Sequence, residues 1–297
     1  MIEIKRSLTM PETILVTAAT SNVGSQVVKQ LAAKDVNIRA AVRNLNRAQN
    51  FPSGVEVVEF DLNKPETVEA AFRGVDKAFF MTPLAPNLVE LDATCLEAAK
   101  KAGVKQIVKL SVMGADTEPE MLLGQCHRES EQLIAASGIP YTFLRPNSFH
   151  QNYLIYTAET IKNQNSFYLP LGEGKLSFID IRDVAEVAAV VLTEDNHQNK
   201  AYQITGSQAL SNYQIAEILS QVLGRTITYV DIPEEAAREA MTENGLPEKQ
   251  VEMILRLYNR QKAGNYSTIT PIVEEVTGKQ PRTFEQFAND YAAAFSS

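Results

Sequence analysis

Cysteine, histidine and runs of like charge are all scarce in this sequence, and each scarcity excludes a class of chemistry. The two cysteines, Cys95 and Cys126, form no CxxC pair, so they read as reduced, mostly buried thiols rather than a disulfide framework. Three histidines without HxH or HxxxH spacing leave no metal site to expect. No window approaches the roughly 18 consecutive apolar residues of a membrane span. The basic Lys5 and Arg6 have no apolar signal core behind them. A cytoplasmic protein without membrane attachment is the expectation. The 28 Lys and Arg are dispersed and outnumbered by 36 Asp and Glu, for a net charge of -8, so direct nucleic-acid binding is not expected. Internal repeats and low-complexity segments are also missing.

What is present is apolar sequence in quantity: 44% of 297 residues, enough for one large domain and a satellite. From residue 13 onward strand and helix patterns alternate, which is the signature of a parallel sheet built from crossover units. Strands are predicted at 13–17, 36–42, 55–59, 76–81, 104–110 and 140–144. Helices are predicted at 23–33, 65–73 behind Pro65, 87–102 ended by Gly103, and 120–137 stopped at Gly138, with a helical patch near 46–50. Residues 1–9 read as an extension without a role in the fold.

Beyond Arg145-Pro146 the alternation weakens and aromatic residues gather: Phe149, Tyr153, Tyr156, Phe167, Tyr168 and Phe178. Helices at 181–194, 211–223, 233–244, 248–263 and 283–295, and strands at 200–205 and 226–230, complete the pattern. The predicted fold class is α/β: a Rossmann-type doubly wound parallel sheet with a smaller α+β C-terminal lobe. The expected division is a nucleotide-binding domain over 10–150 and a substrate-binding lobe over 151–297, with about 178–206 packing back on the first domain.

The first strand-to-helix turn of a dinucleotide-binding fold cradles the pyrophosphate, because a helix N-terminus offers unpaired amides and a positive dipole end. Here that turn is Thr17-Ala18-Ala19-Thr20-Ser21-Asn22-Val23-Gly24. Against the TGxxGxxG of short-chain dehydrogenases, Ala18 and Ser21 replace the first two glycines and Gly24 remains. Each replacement adds a Cβ where space is scarce, while Gly24 keeps a close approach. Side-chain hydrogen bonds from Ser21 and Asn22 to a phosphate offset part of that cost. The expectation is weakened but retained binding; the competing reading is a degenerate loop on a scaffold that holds no nucleotide.

The end of the second strand selects the nucleotide, an acid favouring NAD and an arginine NADP. Arg43 and Asn44 stand there, with Arg47 close behind and no acid between Asp35 and Glu56, so NADP(H) is the expected cofactor. Asp61 and Leu62, after the third strand, are placed at the adenine. Met81, Thr82 and Pro83, after the fourth, are placed along the ribose and nicotinamide.

The segments RAAVRN (39–44), FDL (60–62), KLSVMGAD (109–116), HRESEQLIAASGIPYTFLRPNSFHQN (127–152) and FIDIRDVAEVA (178–188) together resemble the NmrA-like branch of atypical short-chain dehydrogenases. The similarity runs over nearly the whole chain. It implies a Rossmann-type fold, NADP(H), and either hydride transfer to a quinone, dye or conjugated enone or, alternatively, a non-catalytic redox sensor with a regulatory protein partner.

In the wider superfamily a YxxxK on the helix before the GxPxTxLRP strand supplies a proton-donating tyrosine and a lysine. Counting back from Gly138-Ile139-Pro140 puts His127 at the lysine position and Leu123 at the tyrosine position. A leucine donates no proton, so the Ser-Tyr-Lys mechanism is excluded. The resemblance leaves His127 to hydrogen-bond the nicotinamide ribose or to supply a proton, and Ser111 in the serine-like place; both are also counted with the cofactor, as are Pro146 and Asn147. The expected wall for a flat aromatic or quinone-like substrate is Phe149, Asn152, Tyr153, Tyr156 and Phe178, with Asn147 and a roleless His150 beside it. Such a protein is expected to be a monomer or homodimer.

Overall fold

The computed structural model describes residues 11–48, 51–83, 87–117 and 122–296, with the side chains of Arg47, Leu122 and Leu123 left out. The N-terminal extension over 1–9, the end of the helical patch at 49–50 and the predicted helix start at 120–121 lie outside those residues.

The elements of the first half are β1 (Thr13–Val16), α1 (Asn22–Leu31), β2 (Asn37–Val42), β3 (Glu56–Glu59), α2 (Pro65–Phe72), β4 (Lys77–Phe80), α3 (Leu88–Ala102), β5 (Gln106–Leu110), α4 (Leu122–Ala135) and β6 (Tyr141–Pro146). The second half follows as α5 (Asn152–Tyr156), α6 (Ala158–Gln164), β7 (Ser166–Leu169), β8 (Lys175–Leu176), α7 (Ile181–Thr193), β9 (Lys200–Ile204), β10 (Leu210–Ser211), α8 (Asn212–Leu223) and β11 (Thr228–Asp231). The remainder is α9 (Glu234–Glu243), α10 (Glu248–Lys262), α11 (Ile272–Thr277), α12 (Phe284–Asp290) and α13 (Ala292–Phe295).

Seven parallel strands run in the order β3-β2-β1-β4-β5-β6-β9. The chain leaves β1 in one direction to reach β2 and β3, then crosses back to β4 on the other side. A crevice therefore opens at the carboxyl ends of β1 and β4, where such sheets place their ligands. The strands are apolar on both faces because both are covered. Ile14, Val16, Val108 and Leu144 pack with α1, α7 and α11, while Leu15, Phe80, Ile107 and Phe143 pack with α2, α3 and α4.

The second lobe has its own aromatic centre. Tyr153 meets Phe167, Phe178 and Phe284 edge-on at ring separations of 5.1 to 5.8 Å, within the range where such pairs attract. Two small sheets, β7 with β11 and β8 with β10, frame it. Strand β9 and helices α7 and α11, although late in the chain, belong to the large sheet and its cover.

The second half differs in detail from the predicted pattern. The helix expected over 283–295 breaks at Tyr291, whose φ of -114° leaves the helical range, so α12 ends and the one-turn α13 begins anew. Helices α5, α6 and α11 and strands β7, β8 and β10 are not expected from the sequence, since segments of two to seven residues show two turns of periodicity or fewer.

Candidate functional site: a cleft at the carboxyl edge of the sheet

Ala18 adopts the left-handed conformation, with φ of 48°, that the missing glycine would supply without strain. The Ser21 amide closes the turn on the Ala18 carbonyl at 2.9 Å. A Cβ on Gly24 would stand 2.3 Å from that same carbonyl oxygen. The surviving glycine is thus demanded by the turn itself, and the altered sequence still produces the compact turn of a phosphate cradle.

Ser21 is the N-cap of α1: its hydroxyl accepts from Gly24 N at 3.0 Å and points at Met81 Sδ at 3.3 Å. That cap occupies the side chain expected to reach a phosphate. The amides of Asn22 and Val23, in the first turn of α1, have no partner among the described residues, and with the helix dipole they supply the anion-binding end. Thr17 is buried, and its hydroxyl bridges the Phe79 and Met81 carbonyls at 3.1 and 3.0 Å while accepting from Met81 N. Its role is to tie β1 to the end of β4.

On the β2 side a cavity of about 530 Å³ is lined by Thr20, Arg43, Asn44, Leu45, Glu59 and Asp61. Arg43 is exposed, without an ion pair among the described residues. Asn44 caps a short turn by accepting from Asn46 N, Asp61 accepts from Asn63, and Leu62 packs on the apolar layer under α2. Glu59, unremarked in the sequence, also borders this cavity but is tied to Lys64 at 2.9 Å. Arg43 is therefore the uncommitted charge of this cavity among the described residues.

On the β4–β5 side, Met81 is half-buried and Pro83 exposed. Thr82 Oγ1, Ser111 Oγ and His127 Nδ1 are buried without a hydrogen-bond partner among the described residues. Buried polar atoms are rarely left so, and three at one sheet edge point to a polar ligand. Burial first and the nearby Lys109 second push His127 down to about 3. At neutral pH the ring thus carries a single proton, which leaves it the hydrogen-bonding role and removes the role of proton source.

Other expected contacts are spent on the fold. Pro146 is buried at the end of β6. Asn147 Nδ2 donates to Ser177 Oγ at 2.7 Å and to the Tyr266 carbonyl at 2.8 Å, joining the lobes. Tyr153 donates to Asn212 at 2.7 Å in the aromatic centre, and Phe178 is buried beside it. Phe149 and Asn152 are half-buried and Tyr156 is 74% exposed, so these three of the five expected wall residues are the accessible ones. His150 lies between Phe284 and Phe287 at ring separations of 5.2 and 5.4 Å, 3.9 Å from Asp180.

The motif residues outside the cleft prove to be braces. Arg145 of LRPN grips Glu131 with two bonds of 2.9 and 2.6 Å and also bonds Asp116, fixing α4 and the loop after β5. In FIDIRD, Asp180 caps α7 and pairs with Arg182 at 2.7 Å, and Asp183 takes Arg282 from the C-terminal segment. Their charges hold the lobes around the cleft.

With this geometry in hand, the profile of the NmrA-like family matches residues 10–288. The chain belongs to the NmrA-like family. It is 41% identical over 285 residues to the NAD(P)H azoreductase of Xenophilus azovorans, covering 96% of this chain and 99% of that protein. The NADPH-dependent quinone oxidoreductase of Escherichia coli, solved with NADPH, superposes at a TM-score of 0.85 with 28% identity, over 94% of this chain and 99% of that one. The Citrobacter sp. triphenylmethane reductase, solved with NADP(H), gives 0.82 and 28%, over 93% and 99%. Among the described residues of this NmrA-like chain, no helix is long and apolar enough to cross a membrane and no cluster of side chains suits a metal ion.

The residues present fit the dinucleotide. The left-handed Ala18, the glycine that a Cβ would jam, the free amides of α1, the uncommitted Arg43 and the three unpartnered polar atoms are of the kinds that a pyrophosphate, a 2′-phosphate and a nicotinamide ribose would use. What sequence reasoning missed is the buried pair of Lys109 and Asp92, at 2.9 Å, beneath that edge. A lysine inside a predicted strand was the available signal.

Proposed function

We propose that this protein is an NADPH-dependent reductase that delivers hydride to quinone-like, azo or related conjugated small molecules. The observation that carries the reading is the trio Thr82, Ser111 and His127, buried and unpartnered at the ends of β4 and β5 and the adjoining helix, opposite an uncommitted Arg43. The similarity to an azoreductase and a quinone oxidoreductase supports it.

NADPH, when bound, supplies the hydride. The chain's own residues bind and orient. The Asn22 and Val23 amides and the dipole of α1 hold the pyrophosphate. Arg43 takes the 2′-phosphate by charge-assisted hydrogen bonds, and Thr82, Ser111 and His127 fix the ribose and carboxamide end. Phe149, Asn152 and Tyr156 offer the flat acceptor its wall. With leucine at the tyrosine position and His127 holding one proton, neither group offers the acceptor a strong acid, which suits acceptors whose charge is delocalised and whose proton comes from solvent. The same reading sets the enzyme in the cytoplasm, as a monomer or homodimer acting on small molecules.

The test is NADPH oxidation, followed at the nicotinamide absorbance band, across a panel of quinones, azo dyes and enones. Turnover with at least one class is expected. Confirmed NADPH binding without oxidation of any acceptor would reject the reductase in favour of a nucleotide-sensing protein.

A further inference from the structure

Lys109 is fully buried in β5, two residues from Ile107 and two from Ser111, on the face covered by α3 and α4. Its Nζ stands 2.9 Å from Asp92 Oδ2 on α3, and Ser130 on α4 donates to the same oxygen. The ammonium is at ion-pair distance but off the hydrogen-bond direction. Lys109 Nζ, Asp92 Oδ1, Ser111 Oγ and His127 Nδ1 all remain buried without a hydrogen-bond partner among the described residues.

Stability does not account for this arrangement. Taking two charges out of water costs several kcal/mol per ion, and a well-packed apolar pair of similar volume is often as stable. A leucine would serve a strand buried on both faces. The pair is also oriented. His127, one helical turn before Ser130, feels the charge of Lys109, whereas Cys95 on α3 feels Asp92 before Lys109. Lys109 springs from β5 two residues before Ser111 while Asp92 springs from α3, so the positive end belongs to the strand that ends at the cleft and the negative end to the covering helix. The other buried acid on this side of α4, Glu131, is neutralised by Arg145, which also holds Asp116; Arg128 is half-buried and Glu129 exposed.

We propose that Lys109, held by Asp92 and Ser130, is a specificity-determining residue, acting through Ser111 and His127 to favour acceptors that pass from neutral to anionic over acceptors that arrive as cations. The inference rests on the reductase reading. A quinone that gains hydride becomes a hydroquinone anion and then takes a proton from solvent. A cationic triarylmethane dye gains hydride at its central carbon and becomes neutral, with no proton needed. In both, NADPH is oxidised to NADP+. A fixed positive end stabilises the first charge change and opposes the approach of the second substrate.

The experiment compares kcat/KM for a neutral benzoquinone and a cationic triarylmethane dye in the wild type and in Asp92→Asn/Lys109→Met, which removes both charges together. The quinone-to-dye ratio is expected to fall about twofold, the residual effect of an oriented ion pair whose positive end is felt through roughly 10 Å of protein, with the KM for NADPH nearly unchanged. Equal losses on both acceptors would make the pair merely structural and overturn the inference.

A second readout needs neither cofactor nor turnover. Histidine NMR of the free protein is expected to show His127 neutral at pH 5 in the wild type and its pKa raised in the double variant. Wild-type protonation of His127 near 6.5 would overturn the orientation of the pair, even where the variant does not fold. Wild type that oxidises NADPH with neither acceptor would reject the reductase reading itself. Turnover with an unshifted ratio would reject the role of Lys109 alone.

Discussion

Gly24 and Ala18 face each other so closely that a Cβ on the glycine would stand 2.3 Å from the alanine's carbonyl oxygen. The contact makes one residue of the turn indispensable and the other replaceable. Gly24→Ala is expected to cost about 2–3 kcal/mol as an overpacked site, and to lower NADPH affinity by displacing the start of α1. Ala18→Gly is expected to stabilise by roughly 1 kcal/mol, the relief of left-handed strain less the entropy of the added glycine, and to tighten NADPH binding. Thermal unfolding with and without NADPH checks both signs.

Arg43 is expected to separate the two nicotinamide nucleotides. Arg43→Ala removes a charge-assisted pair worth about 1.5–3 kcal/mol, so NADPH affinity should fall at least about tenfold. NADH affinity, which lacks the 2′-phosphate, should barely change. Calorimetric titration of both nucleotides into wild type and variant gives the comparison.

His127, pushed down to about 3 by burial and by Lys109, titrates far below the working range. Its protonation should then leave no inflection in kcat/KM between pH 5 and 8. His127→Gln, which keeps a neutral hydrogen-bonding side chain, should retain most activity, while His127→Phe should lose about tenfold, the worth of one hydrogen bond. A pH–rate profile with an inflection near 6.5 that disappears in His127→Gln would contradict this assignment.

Two aspartates of the α7 start give opposite pH signatures. Burial opposes ionisation of Asp180, but the neighbouring His150 at 3.9 Å and the hydrogen bonds and charge of Arg182 prevail and hold it well below the usual carboxylate range. Its folded pKa is depressed, so its stabilising contribution is present above about pH 4 and lost as pH falls toward the folded value. Asp183 goes the other way: burial raises it to about 6 against the hydrogen bonds from Arg282. A raised acid favours the folded state only while protonated, so its contribution is lost as pH rises from about 4 through 6. Urea unfolding from pH 3 to 7 should show Asp180→Asn flattening the acid limb. Asp183→Asn should lose least, relative to wild type, at the upper end of that range.

The large sheet was legible because short apolar runs alternate with helical patterns bounded by Pro65, Gly103 and Gly138, which are dense local signals. The phosphate turn was legible by position, since the backbone of Ala18 repeats a glycine's conformation although its side chain does not. Tyr153 and Phe178 were indistinguishable in sequence from a substrate wall, because an aromatic ring suits a core and a cleft equally. Only the long-range partners Asn212, Phe167 and Phe284 assign them to the interior. Asn147 followed the same rule through Ser177 and Tyr266. The pair of Lys109 and Asp92 bridges a strand and a helix seventeen residues apart in sequence, so no local pattern could join them.

The central claim is that this cleft holds a 2′-phosphorylated dinucleotide, and calorimetric titration of the full chain tests it most directly. The account predicts saturable one-to-one binding of NADPH, at least about tenfold tighter than that of NADH. Heat of dilution alone at millimolar NADPH, with the melting temperature unmoved, would contradict it.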